Sequence, residues 1–310
     1  MKSHKIRIFS LLLLFLCVQL LEVHSQKNSA ETPDFRAILQ KKLDDFQKID
    51  TKSGQQIKTD GVKLAEICSV DTDAVSRRVF ADYGAIFVAE DVEFPQKCIF
   101  QNEREVLTYQ NAASPKTETI DGTSITLQEE AMEDFLKARR AATKRSLKIT
   151  PRGGSIAAKR SYTDTRRLWD SRFFPGLKHW VGRRKISPQE AERVKTLPTQ
   201  QQVAKVLEWE SKGWFFSTDF SKSILYSVAA PGASQHLFML ALDVEQFANP
   251  AVREILAQHG WFQTVQSDLP HFTYLGLKET ELPSKGLKAV FIRGHKFWIP
   301  NLKTDDDKKS

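Results

Sequence analysis

Apolar positions along the chain follow two rhythms. Behind Thr32-Pro33, the residues Phe35, Ile38, Leu39, Leu43 and Phe46 recur every three or four positions, which predicts a capped helix. Residues 48–61 are polar and read as a connector. Between 75 and 100 the pattern turns strand-like, with Val79-Phe80 and then 85–88 after the turn signal Tyr83-Gly84. Residues 111–123, rich in Ser, Thr, Pro and Gly, read as a loop. Thr126-Leu127-Gln128-Glu129 has the form of a capping box and predicts a helix to about Arg145. A short strand at 147–149 and a turn at 151–154 follow, then a helix over 161–180 broken near Pro175-Gly176. Ser187-Pro188-Gln189-Glu190 is a second capping box with proline at the first helical position, and another helix after Thr199 carries Val203, Val206 and Leu207 on one face.

Strands are expected at 224–228 and 240–244, around the turn Ala230-Pro231-Gly232. Asn249-Pro250 opens a short helix that Gly260 closes, and strands at 262–266, 271–275 and 290–298 complete the chain. Helices in runs and strands in hairpin-like succession argue for an α+β fold, not a parallel doubly wound sheet. No internal repeat is visible. A length of 310 residues allows two units, and the weak stretch 111–123 suggests a boundary between an N-terminal region (26–123) and a second domain (124–300), with a polar tail at 301–310.

Residues 1–25 are laid out as a secretory signal: a basic start (Lys2, Lys5, Arg7), an apolar run over 8–21, and a cleavage position after Ser25. That run is shorter than the roughly 20 residues needed to span a bilayer, so no stable membrane span is expected after cleavage, an uncleaved anchor being the alternative. Cys17 lacks the small preceding residue of a lipoprotein signal. A periplasmic or extracellular location follows as an expectation. Cleavage leaves Cys68 and Cys98, which an oxidising compartment would join across about 30 residues; two buried free thiols are the alternative. The formal charge of +8 falls to +6 when three cations and one anion leave with the leader. Both signs are interspersed, so a nucleic-acid surface is not indicated; that reading rests on charge alone.

The chemistry concentrates between Pro231 and Gly276. Ser234-Gln235-His236 is followed seven residues past the histidine by Asp243, and later by Asp268-Leu269-Pro270-His271. Two imidazoles and a carboxylate suit a catalytic zinc ion with one position left for water. His236 before a strand, Asp243 on it and His271 on a second hairpin can meet at one sheet edge. Asp243 ends the apolar run Leu240-Ala241-Leu242, where a carboxylate is costly unless paired or bound to a cation. Asp268 then stands near the site as a candidate general base. His259, before Gly260, suits a helix C-terminus, and His179 and His295 have no partner at ligand spacing.

This segment resembles the zinc D-alanyl-D-alanine carboxypeptidases, the LAS metallopeptidases that include the vancomycin-resistance carboxypeptidases. Ser234, His236, Ala241, Asp243, Asp268 and His271 stand at the family's motif positions, flanked by Pro231-Gly232 and by Phe272-Thr273-Tyr274-Leu275-Gly276. Arg160-Ser161-Tyr162 is similar to the family's Arg-Ser-Tyr stretch, although Arg160 also suits a solvated helix start. The resemblance implies a small antiparallel sheet with flanking helices of the Hedgehog/DD-peptidase type. It implies Zn2+ on His236, Asp243 and His271, Asp268 acting on the zinc water, and Arg160 stabilising the oxyanion. This chain departs from the pattern at Met239 (usually Gly), Asp268 (usually Glu), Pro270 (usually aromatic) and Ala158-Lys159 (usually Gly-Tyr).

The expectation is therefore an exported zinc-dependent peptidase-like hydrolase acting on peptidoglycan stem peptides or another peptide substrate. The alternative is a cell-envelope binding or structural module on the same fold that has lost turnover.

Overall fold

The computed structural model describes residues 32–50 and 62–303, without the side chains of 46–50. The expected leader and its cleavage position, residues 51–61 of the connector and most of the polar tail lie outside the described residues. No helix among the described residues is long and apolar enough to cross a membrane.

Helix α1 (Phe35–Asp50) buries Phe35, Leu39 and Leu43 as its stripe requires. Its cap is Asp34, whose Oδ1 accepts from Arg36 N at 2.8 Å. The single turn α2 (Leu64–Ile67) leads to Cys68, which is bonded to Cys98. Residues 74–83 form a helix, α3 (Ala74–Tyr83), where the sequence reads as strand. Asp73 caps it by accepting from Ser76 N at 2.8 Å, and Val75, Val79, Phe80 and Tyr83 share its buried face. Residues Gly84–Val88 continue as a fully buried 3-10 turn, so their unbroken apolarity reflects burial on all sides and no strand period.

Helix α4 (Glu103–Ala112) precedes a hairpin of β1 (Pro115–Ile120) and β2 (Thr123–Gln128), joined at Asp121-Gly122 with φ of 49° and 79°. The expected loop at 111–123 is thus largely a two-stranded ribbon. Its exposed positions are Pro115, Thr117, Thr119 and Ser124, with Lys116 and Glu118 half-buried between them, which hid it, while Asp-Gly is the turn such hairpins use. Thr126 lies in β2, so the expected capping box does not form. Helix α5 (Glu129–Lys144) starts behind Gln128 with no side-chain cap.

Helix α6 (Tyr162–Gly182) begins with a reciprocal capping box between Ser161 and Asp164. It runs unbroken through Pro175, contrary to expectation. Gly176 explains the tolerance: a Cβ there would lie 2.2 Å from the Phe216 ring, so the helix is pressed against a buried aromatic that holds it in line. Helices α7 (Pro188–Lys195), capped by Ser187, and α8 (Thr199–Glu210) follow as expected.

Residues 224–226 are a 3-10 turn, not a strand. A three-stranded antiparallel sheet comes next, in the order β3 (Ala241–Asp243), β5 (His271–Tyr274), β4 (Trp261–Phe262), with helix α9 (Pro250–Gln258) between β3 and β4 in sequence. The expected strand at 147–149 is replaced by a single bridge, Pro151 to Val244, along the open edge of β3. The last expected strand is a hairpin, β6 (Leu287–Ile292) and β7 (His295–Pro300), turning at Arg293-Gly294. The architecture is α+β, with small antiparallel sheets and flanking helices.

From Thr32 onward the chain is one compact unit, and the boundary expected before residue 124 falls inside the β1–β2 hairpin. One continuous core takes Phe80, Phe87 and Val106 from one side of that point and Phe135, Leu242 and Phe272 from the other. Burial on both sides of the polar stretch makes the two halves a single hydrophobic unit.

Candidate metal centre

The cluster is built on the pairing of β3 with β5. Their register sets Asp243 directly opposite His271, so the two side chains share one face of the sheet. His236 arrives from the 3-10 turn Gln235–Phe238, which ends at Met239 with φ 55° and ψ 30°. That left-handed residue reverses the chain into β3. That backbone disfavours any residue with a Cβ, so Met239 sits there under local strain.

Three atoms converge. His236 Nε2 lies 3.3 Å from Asp243 Oδ1, His271 Nδ1 lies 3.4 Å from the same oxygen, and the two nitrogens are 3.1 Å apart. Their outer contacts decide which atoms carry protons. His236 Nδ1 is 2.7 Å from Ala158 O, which only accepts, so Nδ1 is the donor. Gln235 Nε2 donates to Tyr83 O at 2.8 Å, which turns Gln235 Oε1 toward His271 Nε2, also at 2.8 Å. In neutral rings, His236 Nε2 and His271 Nδ1 are therefore both lone pairs. They face a carboxylate oxygen that is buried and has no hydrogen-bond partner among the described residues. Three acceptors with no proton between them repel one another unless a cation sits at their centre. Four ligands at about 2.0–2.1 Å from zinc would stand roughly 3.3–3.4 Å apart, so the observed spacing fits the ion.

The electrostatics agree. Burial, then the Arg160 guanidinium, push the His236 imidazole down to about 4, against the pull of Asp243; the ring is neutral near pH 7, the form that ligates. The Asp243 carboxyl lies well below the usual carboxylate range despite its burial. Its second oxygen takes Arg160 Nη2 at 2.6 Å, and Arg160 Nε is fixed on Ile156 O at 2.9 Å. Arg160 is thus brought to the cluster, paired with Asp243.

A cavity of about 270 Å³ opens in front, lined by His236, His271, Arg160 and Asp268 among others. Asp268 lies on the turn before β5, its N–H on Val265 O and its carbonyl accepting from His271 N at 3.2 Å. Desolvation raises its carboxyl above the usual range; Asp243 adds to that, while His271 and Arg160 oppose it. The residue as a whole is exposed, and it lines the cavity. His236, Asp243 and His271 thus converge, Arg160 pairs with Asp243, and Asp268 lines the same cavity. His259 caps the C-terminus of α9 and His295 lies on β7, both apart from the cluster. His179 stacks on Phe220.

Sequence reasoning missed the supporting residues. Gln235 Oε1 also accepts the Thr273 hydroxyl at 2.5 Å, and Thr273 is 2.6 Å from the Thr264 hydroxyl. Gln110 on α4 is buried and donates to Arg160 O and Leu237 O, tying both arms of the site together. Gly232, with φ 83°, lies against Phe100, where a Cβ would come within 1.9 Å of the carbonyl oxygen. The region before residue 124 therefore forms the back wall of the centre.

No family model matches the chain, and no curated protein matches it. Solved structures that resemble part of it include the following two. One is VanYB in complex with D-alanine-D-alanine, at 15% identity and a TM-score of 0.33, over 55% of this chain and 83% of that one. The other is the vancomycin-resistance D,D-pentapeptidase VanY in complex with Zn(II), a mutant from a VanB-type cassette, at 15% identity and 0.32, over 55% and 82%.

Proposed function

We propose that this protein is an exported zinc-dependent hydrolase that cleaves an amide in a peptidoglycan stem peptide, next to a terminal D-alanine. The observation that carries this reading is the convergence of three lone pairs, from His236, Asp243 and His271, on one proton-free point beside a cavity. A zinc ion held there would polarise the scissile carbonyl and acidify a bound water.

This chain's own residues do the rest. Ala158 O and Gln235 Oε1 hold the two imidazoles in the ligating tautomers. Arg160 holds Asp243 in the carboxylate form and places its positive charge at the cavity wall, where negative charge develops on the carbonyl oxygen during attack. The Asp268 carboxylate accepts the proton of the attacking water and delivers it to the leaving amine nitrogen. A carboxyl with a raised pKa is a stronger base than an ordinary one and suits both transfers.

The test is metal analysis of the purified protein followed by hydrolysis of a peptide ending in D-alanyl-D-alanine. Near-stoichiometric zinc is expected, with release of D-alanine. Asp268→Asn should keep the zinc and lose roughly a hundred- to ten-thousandfold in rate. Zinc binding and peptide binding without turnover in the wild type would identify a binding module instead. Failure to take up zinc at all would refute the metal centre.

A further inference from the structure

Helix α6 is one wall of the cavity. Thr165, Leu168 and Arg172 recur on it at three- and four-residue intervals, so one helical face is turned to the substrate space. Two guanidinium groups line that space. Arg160 is engaged by Asp243 and by Ile156 O. Arg172 is not engaged by any carboxylate among the described residues. Its hydrogen bonds are those of Nη1, to Ser171 Oγ at 3.0 Å and, more weakly, to Ser171 O at 3.4 Å.

The second of these bonds has a cause in the sequence. Pro175, four residues on, has no N–H to give to Ser171 O, so the proline retained inside α6 frees a carbonyl for the Arg172 guanidinium. Nη1 is anchored, and Nε and Nη2 have no acceptor among the described residues. Nε is buried and unpartnered. Nη2 is not buried and has no partner among the described residues, so a carboxylate oxygen entering the cavity can take it in a charge-assisted hydrogen bond.

We propose that Arg172 is a specificity-determining residue that takes a carboxylate of the bound peptide. The inference rests on the hydrolase reading of the same site. Two carboxylates are chemically available: the terminal one beyond the scissile bond, and an acidic group on the acyl side.

Three peptides separate these sources. N-acetyl-D-alanyl-D-alanine carries only the terminal carboxylate, N-succinyl-D-alanyl-D-alanine amide only an acyl-side one, and N-acetyl-D-alanyl-D-alanine amide none. Their binding is measured by calorimetry to the full-length, zinc-loaded protein carrying Asp268→Asn to stop turnover, with and without Arg172→Gln. Loss of the guanidinium should weaken one anionic peptide roughly ten- to a hundredfold. The neutral amide and the zinc content should not change, and Arg172→Lys should restore part of the loss. The peptide that weakens identifies the carboxylate. Equal weakening of all three peptides, or of none, overturns the role of Arg172 while leaving the hydrolase reading intact. If the protein with Arg172 in place binds zinc but none of the peptides, the hydrolase reading falls and this inference falls with it.

Discussion

Gln235 and His271 are joined by a 2.8 Å hydrogen bond that selects which imidazole nitrogen faces Asp243. The bond is itself fixed from behind, because the amide of Gln235 is locked by Tyr83 O on one side and the Thr273 hydroxyl on the other. Outer contacts of this type typically control metal affinity by ten- to a hundredfold. Gln235→Leu keeps the volume and removes the acceptor. Zinc affinity, measured by competition with a chromophoric chelator, should fall by roughly that factor while the far-ultraviolet dichroism is unchanged. Unaltered affinity would mean that His271 needs no partner.

Met239 should behave unusually on truncation. It is fully buried, which makes loss of its side chain costly, and its φ is 55°. Both Met239→Ala and Met239→Gly lose the packing, on the order of 2–5 kcal/mol. Only glycine relieves the left-handed strain, worth about 1 kcal/mol. The glycine variant should therefore be at least as stable as the alanine variant in urea titrations, the reverse of their order in a helix. An alanine variant clearly more stable than the glycine variant would contradict the strain.

The Cys68–Cys98 bond closes a loop of sequence separation 30, and such a loop contributes roughly 3.5 kcal/mol through the unfolded chain. Two residues beyond Cys98, Phe100 N donates to Gly232 O at 2.9 Å, on the approach to His236. Reduction or Cys98→Ser should lower the urea midpoint and also weaken zinc binding, since the loop that backs Gly232 loses its tether. A large stability loss with zinc affinity unchanged would show that the tether serves the fold alone.

The cluster of His236, Asp243 and His271 was legible because two of its members stand where a polar side chain is costly. Asp243 ends an apolar strand, and His271 opens one whose four residues are all buried. Gln110, Gln235 and Thr264 break no rule visible in the chain. A buried amide declares itself through distant partners, as Gln235 does through Thr264 and Tyr83, 29 and 152 residues away. The missed elements share another cause. In Gly84–Val88 burial on every side erases periodicity, and in β1 a solvent-facing ribbon has too little apolar surface to show one. Pro175 misled for a third reason: its cost to the helix is offset by contacts with Phe216 that no local pattern reveals.

Removing the metal should make stability depend on pH in a defined window. In the unfolded chain His236 takes up a proton near pH 6.5, whereas in the folded, metal-free protein it does so only near 4. Between those values the unfolded state binds more protons, so stability rises with pH there and is flat above about 6.5. The contribution is lost as pH falls from 6.5 toward 4, with a ceiling of about 3 kcal/mol. Asp243, held below the ordinary carboxylate range when folded, adds a further loss at lower pH. Urea midpoints of chelator-treated protein should fall steadily from pH 6.5 to 4.5. His236→Gln, which has no proton to take up, should flatten that part of the curve. A metal-free wild type with a constant midpoint across the window would mean that His236 is not buried as a neutral ring.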